Sequence, residues 1–368
     1  MQTAIPCLFM RGGTSRGPYF LESDLPADEA LRDRVLLAAM GSPDARQIDG
    51  LGGADPLTSK VAIVGRSARP GVDLEFLFAQ VLIDEARVDT TPNCGNMLAA
   101  VGPFALERGL VQAGSAETTL RILTLNTGML CDVTLQTPDG RITYEGEARI
   151  DGVPGRSAPI KINFLETAGS VCGKLLPTGH VRDEFDGVPV TCIDNGMPVV
   201  VIRASDLGRT GYESRDALNA DAELKARLES IRLQAGPAMN LGDVEKRVVP
   251  KMTLIAPPRS GGAICTRTFI PHDCHSAVGV LGAVTVATAC VLEGSVAQGV
   301  AALPAGNAKV VSVEHPTGEF SVELALDPAD PQSVKRAALL RTARLIMRGD
   351  VMIPAAVWDG RASIKLAA

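Results

Sequence analysis

The stretch TTPNCGNMLAAVGPFALERG, residues 90–109, joins a polar loop to an apolar segment rich in small residues. The apolar segment predicts a helix without a polar face. Such a helix must be wrapped by other structure, most simply by a curled sheet. Cys94 lies at the mouth of this helix instead of inside it. There, the free N–H groups of the first turn can stabilise a thiolate.

A second stretch, PHDCHSAVGVLGAVTVATACVLEG at 271–294, has the same plan of a polar loop that leads into an apolar helix. Aligning Cys94 with Cys274 also aligns Gly102 with Gly282. We therefore predict a duplicated chain with an N-terminal domain over 1–180 and a C-terminal domain over 181–350. A final segment, 351–368, is expected to return to the first domain. Two such units would point both helix N-termini at a common cleft, where their N–H groups could bind anions.

Composition restricts the class of protein. The 368 residues carry a net charge of −6, with one Trp and three Tyr, which argues against a nucleic-acid or membrane-surface binder. The eight cysteines include no Cys-x-x-Cys pair, which indicates reduced thiols and a cytoplasmic protein. The N-terminus lacks the basic region of a signal peptide. The uncharged run 276–292 suits a packed internal helix better than a membrane span. The apolar content permits a homodimer.

Two reactive side chains stand beside glycine-rich and hydroxyl-rich segments. Cys94 is flanked by Asn93, Gly95 and Asn96, and Gly95 would let a ligand approach the backbone. Lys60 opens the predicted strand KVAIV after a Gly-rich loop. A partly buried lysine can act as a general base. Thr58 and Ser59 precede Lys60 and are expected to contact a substrate.

The segment RGGTSRG, 11–17, predicts a hairpin turn between the strands IPCLFM and GPYFL, and 30–41 predicts a helix. Backbone N–H groups and the hydroxyls in Gly13-Thr14-Ser15 suit a carboxylate or phosphate. The spacing is not that of a nucleotide-binding loop. The run HDCH, 272–275, holds four potential metal ligands, but four adjacent residues cannot all reach one ion. We expect no metal, and we interpret His275 and Ser276 as anion contacts at the helix start.

Three stretches carry a resemblance to a known family: CLFMRGGTSRGPYF (7–20), GSPDARQIDGLGGADPLTSKVAIV (41–64) and NCGNMLAAVGPFALERGLV (93–111). They resemble the methylaconitate isomerase (PrpF) family. The resemblance implies an α/β (α+β) fold like that of diaminopimelate epimerase. Such a fold has two similar domains, each a curled, mostly antiparallel sheet around a central helix, and an active site in the cleft between them.

The resemblance also implies cofactor-independent proton transfer on an unsaturated tricarboxylate. We expect conversion of the keto form of 4-oxalomesaconate, an intermediate of gallate breakdown, to its enol form. The family's catalytic lysine corresponds to Lys60, its active-site cysteine to Cys94 and its helix-start histidine to His275. The chain departs from the family at Arg16, where lysine is frequent. Its second helix begins HSAV, without a cysteine at the position that related epimerases use.

Three alternatives stay open at this point. The same residues could move a double bond in 2-methylaconitate or a similar acid. Cys94 and Cys274 could act as the two thiols of an amino-acid racemase or epimerase. The chain could also bind carboxylates without catalysis, although a binding site does not require a thiol beside a lysine.

Overall fold

The computed structural model describes residues 1–165, 167–327 and 329–360, with the backbone alone at 330–333, 335 and 336. The helices are α1 (Glu29–Met40), α2 (Gly95–Leu98), α3 (Val101–Glu107), α4 (Arg215–Ala220), α5 (Ala222–Ala238) and α6 (Val280–Val291). The strands are β1 (Gln2–Gly12), β2 (Ser15–Leu21), β3 (Lys60–Arg66), β4 (Leu74–Val81), β5 (Val88–Asp89), β6 (Glu117–Thr124), β7 (Met129–Gln136), β8 (Ile160–Phe164), β9 (Asp183–Phe185), β10 (Val188–Asp194), β11 (Pro198–Arg203), β12 (Lys251–Ala256), β13 (Ile264–Phe269), β14 (Ala308–His315), β15 (Gly318–Asp327), β16 (Asp330–Arg341) and β17 (Ala343–Pro354).

The chain divides into two compact units. The first unit holds Met1–Ile162 and the segment that begins at Arg341, and the second holds Asn163–Leu340. The boundary predicted at 180 falls inside the second unit, because the loop before it is bonded to the end of β10. There the carboxylate of Asp194 accepts hydrogen bonds from the N–H groups of Val171 and Cys172 at 2.8 and 2.7 Å. The returning segment also starts earlier than 351, and residues 361–368 lie outside the described chain.

In the first unit the strands pair in the order β17, β1, β2, β3, β4, β6, β7. The pairings β2–β3 and β4–β6 are parallel and the others are antiparallel. The helix α1 packs with buried residues of β1, β2 and β3, including Cys7, Phe20 and Val61. The segments α2 and α3 are buried from Met97 to Ala105 and contact the same strands, β1 to β3, as well as β7.

The second unit repeats this plan. Its strands pair in the order β9 to β16, with parallel pairings only at β11–β12 and β13–β14. Seven successive strands of each unit thus show the same series of parallel and antiparallel pairings. A helical segment follows the equivalent strands in both units, since α2 and α3 come after β4 and β5, and α6 comes after β13. The duplicated plan predicted from the two apolar helices is therefore confirmed.

The two apolar segments differ in detail from the prediction. Residues 95–107 form two short helices, because α2 ends at Leu98 and α3 begins at Val101. Pro103 explains the break, since it lacks an N–H group and its ring crowds the carbonyl four residues earlier. In the second unit α6 is one helix of 12 residues, with every residue from Gly282 to Cys290 buried. Within the described chain, no helix is both long and apolar enough to cross a membrane.

Candidate functional site in the first unit

Cys94 is the residue that caps the N-terminus of α2. Its backbone is extended, with φ −132° and ψ 100°, and its carbonyl accepts the first helical hydrogen bond from the N–H of Leu98 at 2.9 Å. All eight cysteines are free, and Cys94 alone is half-buried while the other seven are buried. Burial raises the pKa of each of those seven thiols: Cys7, Cys131, Cys172, Cys192, Cys265, Cys274 and Cys290. Access therefore singles out Cys94 as the thiol that can meet a substrate.

The hairpin between β1 and β2 packs directly against the start of α2. The side-chain Nδ2 of Asn96 donates to Oγ1 of Thr14 at 2.9 Å and lies 3.5 Å from Oγ of Ser15. Gly13 has φ +52°, and a Cβ there would lie 2.2 Å from Oδ1 of Asn96. A larger residue would therefore push the hairpin away from the Cys94 loop. The structure thus brings together Gly13, Thr14, Ser15, Asn96 and the loop that carries Cys94.

Two amide oxygens at this position have no hydrogen-bond partner among the described residues. Oδ1 of Asn93 and Oδ1 of Asn96 are buried without a hydrogen bond, although Nδ2 of Asn93 donates to the hydroxyl of Thr127. Unsatisfied buried polar atoms are unusual and costly, and they are found where a ligand or water completes the site. The predicted contacts Asn93, Gly95 and Asn96 therefore line a loop with spare hydrogen-bonding capacity.

Lys60 lies at the first position of β3, where it is 9% exposed. Its Nζ donates to Oε1 of Gln80 at 2.7 Å and lies 4.8 Å from the centre of the Phe78 ring. A neutral amide and an aromatic face fix the amine without adding a counter-charge. Gln80 and Phe78 are functional neighbours that sequence analysis missed, because only the pairing of β3 with β4 places them beside Lys60.

Tyr19 was also missed, although it reaches the same loop. Its ring is fully buried, and its hydroxyl donates to the carbonyl of Met97 in α2 at 2.7 Å. Burial, and after it the nearby Cys94, raise the pKa of Tyr19 well above its ordinary value. The phenol therefore stays protonated and holds the first turn of α2 beside β2.

The side chain of Ser59 stabilises the loop before Lys60. Its side chain is completely buried, donates to the carbonyl of Val81 at 2.7 Å and accepts from Nε2 of Gln47 at 2.7 Å. Gln47 also donates to Ser42 and accepts from the N–H of Ala54. Thr58 is half-buried, and its hydroxyl donates to the carbonyl of Asp55 at 3.2 Å. The Ser59 hydroxyl therefore has a structural role in this network, and its contact with a substrate stays a prediction.

The Gln47→Ala substitution tests this role. It removes three hydrogen bonds in a buried network, and we expect the free energy of unfolding to fall by about 1–3 kcal/mol. Urea denaturation measures the change. The exposed neighbour Asp49 provides the control, because Asp49→Ala should change stability by less than about 0.5 kcal/mol. Equal stability of the two variants would contradict the assignment.

The predicted contacts of the second unit lie outside its helix. The helix α6 begins at Val280 with Gly279 as its N-cap, whereas His275 and Ser276 belong to the preceding loop. The N–H of His275 bonds the carbonyl of Thr268, which extends the pairing of β13 past its end. The exposed ring of His275 turns back on its own loop, because Nδ1 lies 2.8 Å from the carbonyl and 3.0 Å from the N–H of Ala277. The expectation that these residues open the helix was wrong.

Lys251 is the counterpart of Lys60 that sequence analysis overlooked. It begins β12, which pairs in parallel with β11 as β3 does with β2. Its Nζ makes no hydrogen bond or ion pair to any described residue, and a Cβ on Gly279 would lie 3.5 Å from it. Burial lowers the pKa of Lys251. The signal in the sequence was the parallel between KMTLIA and KVAIVG, a lysine at the start of an apolar strand.

Replacing Lys251 by methionine should stabilise the protein. Because folding lowers the pKa of Lys251, its charged form costs stability below that pKa, and the cost disappears as the pH rises toward about 10.4. We expect Lys251→Met to gain on the order of 1 kcal/mol at neutral pH and nothing at high pH. Thermal unfolding at a series of pH values measures this gain in stability, with the exposed Lys246→Met as the control. A loss of stability at pH 7 would contradict an unpaired amine.

Among the residues that the structure describes, no group of three or more His, Cys, Asp and Glu side chains is arranged to hold a metal ion. Within the run HDCH the first three side chains diverge. His272 lies 3.5 Å from Glu229, Asp273 pairs with Lys225, and Cys274 is buried with its thiol directed at the carbonyl of His275.

Comparisons with known proteins cover nearly the whole chain. The model of the family described as PrpF protein matches residues 2–354. A 4-oxalomesaconate tautomerase of Pseudomonas putida is 60% identical over 359 residues, 98% of this chain and 99% of the relative. The crystal structure of methylitaconate-delta-isomerase has a TM-score of 0.87 and 36% identity, covering 99% of this chain and 98% of its own.

A more distant match concerns the fold alone. The crystal structure of a probable proline racemase from Agrobacterium radiobacter has a TM-score of 0.50 and 14% identity, covering 97% of this chain and 94% of its own. Together with the duplicated strand order, this match confirms the predicted α+β, epimerase-like fold class.

Proposed function

The chain belongs to the PrpF family and is an isomerase, and from this premise we propose that it converts the keto form of 4-oxalomesaconate to the enol form. The observation that carries the proposal is the 60% identity to a 4-oxalomesaconate tautomerase over nearly the full length of both chains. Lys60, Cys94 and the hairpin with Gly13 to Ser15 all belong to the first unit of this chain, which supports the proposal.

The proposed reaction requires no cofactor, because the substrate itself delocalises the negative charge. In the keto form, a methylene group lies between a ketone and a carboxylated double bond, so the anion left by proton removal is delocalised in both directions. The enzyme must supply a base near that carbon and an acid near the ketone oxygen. It must also supply donors for the carboxylates. Removal of the C–H proton and protonation of the oxygen balance, with no net change in composition.

Lys60 and Cys94 are the proposed proton-transfer groups. One takes the proton from carbon and the other delivers a proton to oxygen. Gln80 and Phe78 hold the Lys60 amine in place, and Tyr19 holds the turn of α2 that follows Cys94. Fixed positions matter because proton transfer requires the group within hydrogen-bonding reach of its target.

The remaining contacts are proposed for the carboxylates and the enol. The hydroxyls of Thr14 and Ser15 and the backbone at Gly13 and Gly95 are donors for carboxylate oxygens. The unpaired amide oxygen of Asn96 can accept the O–H of the enol. Thr58, two residues before Lys60, also stays a proposed substrate contact. His275 and Ser276 stay predictions for the second unit.

A direct assay tests the proposal. The purified chain is mixed with the keto form of 4-oxalomesaconate, and the ultraviolet band of the conjugated enol is followed. Rapid growth of the band above the uncatalysed rate is the expected result. In deuterium oxide the reverse reaction, which reprotonates the carbon, should exchange deuterium into the methylene group of the remaining keto form. A rate equal to that of buffer would refute the assignment.

The second candidate is a double-bond shift in 2-methylaconitate or a related acid. The match to methylitaconate-delta-isomerase, at TM-score 0.87, favours keeping it. Activity on 2-methylaconitate without activity on 4-oxalomesaconate would move the function there while keeping the site. A two-thiol racemase fits poorly, because Cys274 is 1% exposed and burial raises the pKa of its thiol.

A further inference from the structure

Three arginines lie side by side across three neighbouring strands of the first unit. Arg11 of β1 is directly opposite Arg16 of β2 on one side and directly opposite Arg344 of β17 on the other. Residues that are directly opposite in an antiparallel pair project from the same face of the sheet, with their Cβ atoms about 5 Å apart. Like charges in these positions destabilise a sheet. We call these three residues the arginine row.

The arginine row has no counter-charge among the described residues, since no carboxylate there lies within ion-pair distance of Arg11, Arg16 or Arg344. Nine other arginines do form ion pairs with Asp or Glu: Arg32, Arg69, Arg87, Arg108, Arg121, Arg156, Arg209, Arg232 and Arg348. The repulsion within the row is therefore not offset by an ion pair to any described residue, and a bound anion could relieve it.

Two of the three guanidinium groups are held in position. Nη1 of Arg11 donates to the carbonyl of Gly13 at 2.8 Å and to the hydroxyl of Thr342 at 3.0 Å, while its Nε and Nη2 have no partner among the described residues. Arg16 lies over the ring of Phe9, 5.8 Å from its centre. Arg16 and Arg344 are exposed. The row thus presents fixed, unused N–H donors to solvent.

The arginine row is distinct from the site at Cys94. Successive residues of a strand project from opposite faces. The neighbours Ser15 and Gly12 face α2, since both lie against Asn96. Arg16 and Arg11 alternate with them and therefore project from the other face. The row and the side chains that face α2 therefore lie on opposite faces of the sheet.

The size of the row indicates the size of its ligand. Neighbouring strands are about 4.8 Å apart, so three strands span about 10 Å. Guanidinium groups bind carboxylate and phosphate oxygens in pairs. A small ion with two or three acid groups therefore matches the row, and an extended polyanion would also meet a chain with a net charge of −6. Burial, and then the charge of Arg344, lower the pKa of Arg11, which agrees with an uncompensated cluster.

We propose that Arg11, Arg16 and Arg344 form a binding site for a small multivalent anion that carries carboxylate or phosphate groups, separate from the site at Cys94. The site does not depend on the proposed tautomerase activity.

Calorimetric titration of the full chain at constant low ionic strength tests it, with inorganic pyrophosphate and tricarballylate as separate probes. We expect Arg16→Gln/Arg344→Gln to weaken binding of the preferred probe at least tenfold, as the loss of charge-assisted hydrogen bonds implies. The probe that binds the native chain more tightly identifies phosphate or carboxylate as the ligand chemistry.

The charge-matched control is Arg156→Gln/Arg348→Gln, which removes two arginines of the same unit that are already ion-paired with Glu147 and Glu107. It should bind both probes within about twofold of the native chain. Thermal unfolding gives a second readout, because a ligand raises Tm only where it binds the folded state. The preferred probe should raise Tm of the native chain and the control but not of the row variant. Equal weakening in the two double variants, or no binding to the native chain, would overturn the proposal.

Discussion

Replacing Lys60 by alanine is expected to lower the tautomerase rate by about a hundredfold to ten-thousandfold, the usual contribution of one proton-transfer group. Cys94→Ser should lose a similar factor, because a hydroxyl is a far weaker acid than a thiol. The two losses should not add in the double variant, since one step needs both groups. The keto-to-enol assay measures all three variants.

Access to Cys94 provides a control for this prediction. Only Cys94 is half-buried among the eight free cysteines, so iodoacetamide should label one thiol per folded chain and abolish activity. A substrate analogue should protect that thiol. Cys131→Ser changes a buried thiol of the same unit, and its activity per folded molecule should stay native. Full activity in either Lys60→Ala or Cys94→Ser, with unchanged thermal unfolding, would remove that residue from the mechanism.

Gly17→Ala is expected to have the second-largest effect, because it displaces Lys60 without changing it. A Cβ on Gly17 would lie 1.8 Å from the carbonyl oxygen of Lys60, a contact that side-chain rotation cannot relieve. The strands β2 and β3 must separate. We expect a loss of about 1–3 kcal/mol in the free energy of unfolding and at least tenfold in kcat.

The matched control is Gly349→Ala in β17. That position is also a strand glycine, but nothing lies within 4 Å of its added Cβ. Its stability and kcat should stay near native values or improve slightly. Equal behaviour of the two alanine variants in urea denaturation and in the enol assay would show that the approach of β2 to Lys60 is not required.

Local signals in the sequence were sufficient to predict the elements that depend on neighbouring residues alone. Asp28 caps α1 through the N–H of Leu31, and Gly41 ends the helix in the left-handed conformation, close to the predicted range 30–41. The hairpin at 11–17 and the position of Cys94 before a helix are equally local, because turn and capping preferences act over a few residues.

Contacts between distant segments explain the features that the sequence did not predict. Ser59 resembled a ligand-binding hydroxyl in the sequence, but its partners are Gln47 and Val81, which only folding brings close. His275 was predicted to lie at the start of a helix, but its backbone pairs with Thr268 instead. Side-chain hydrogen bonds cannot be assigned from spacing alone when either partner can come from any strand.

The sequence by itself determined the family and the duplicated plan, and it singled out Lys60 and Cys94 as the proposed reactive residues, because these depend on motifs of adjacent residues. The tertiary structure alone decided which side chains surround them, which lysine of the second unit corresponds to Lys60, and that three arginines share one face. These features depend on strand register. A shift of one residue between β1 and β2 would turn Arg16 to the opposite face from Arg11. Register is fixed by the packing of the whole sheet, which no single stretch of sequence contains.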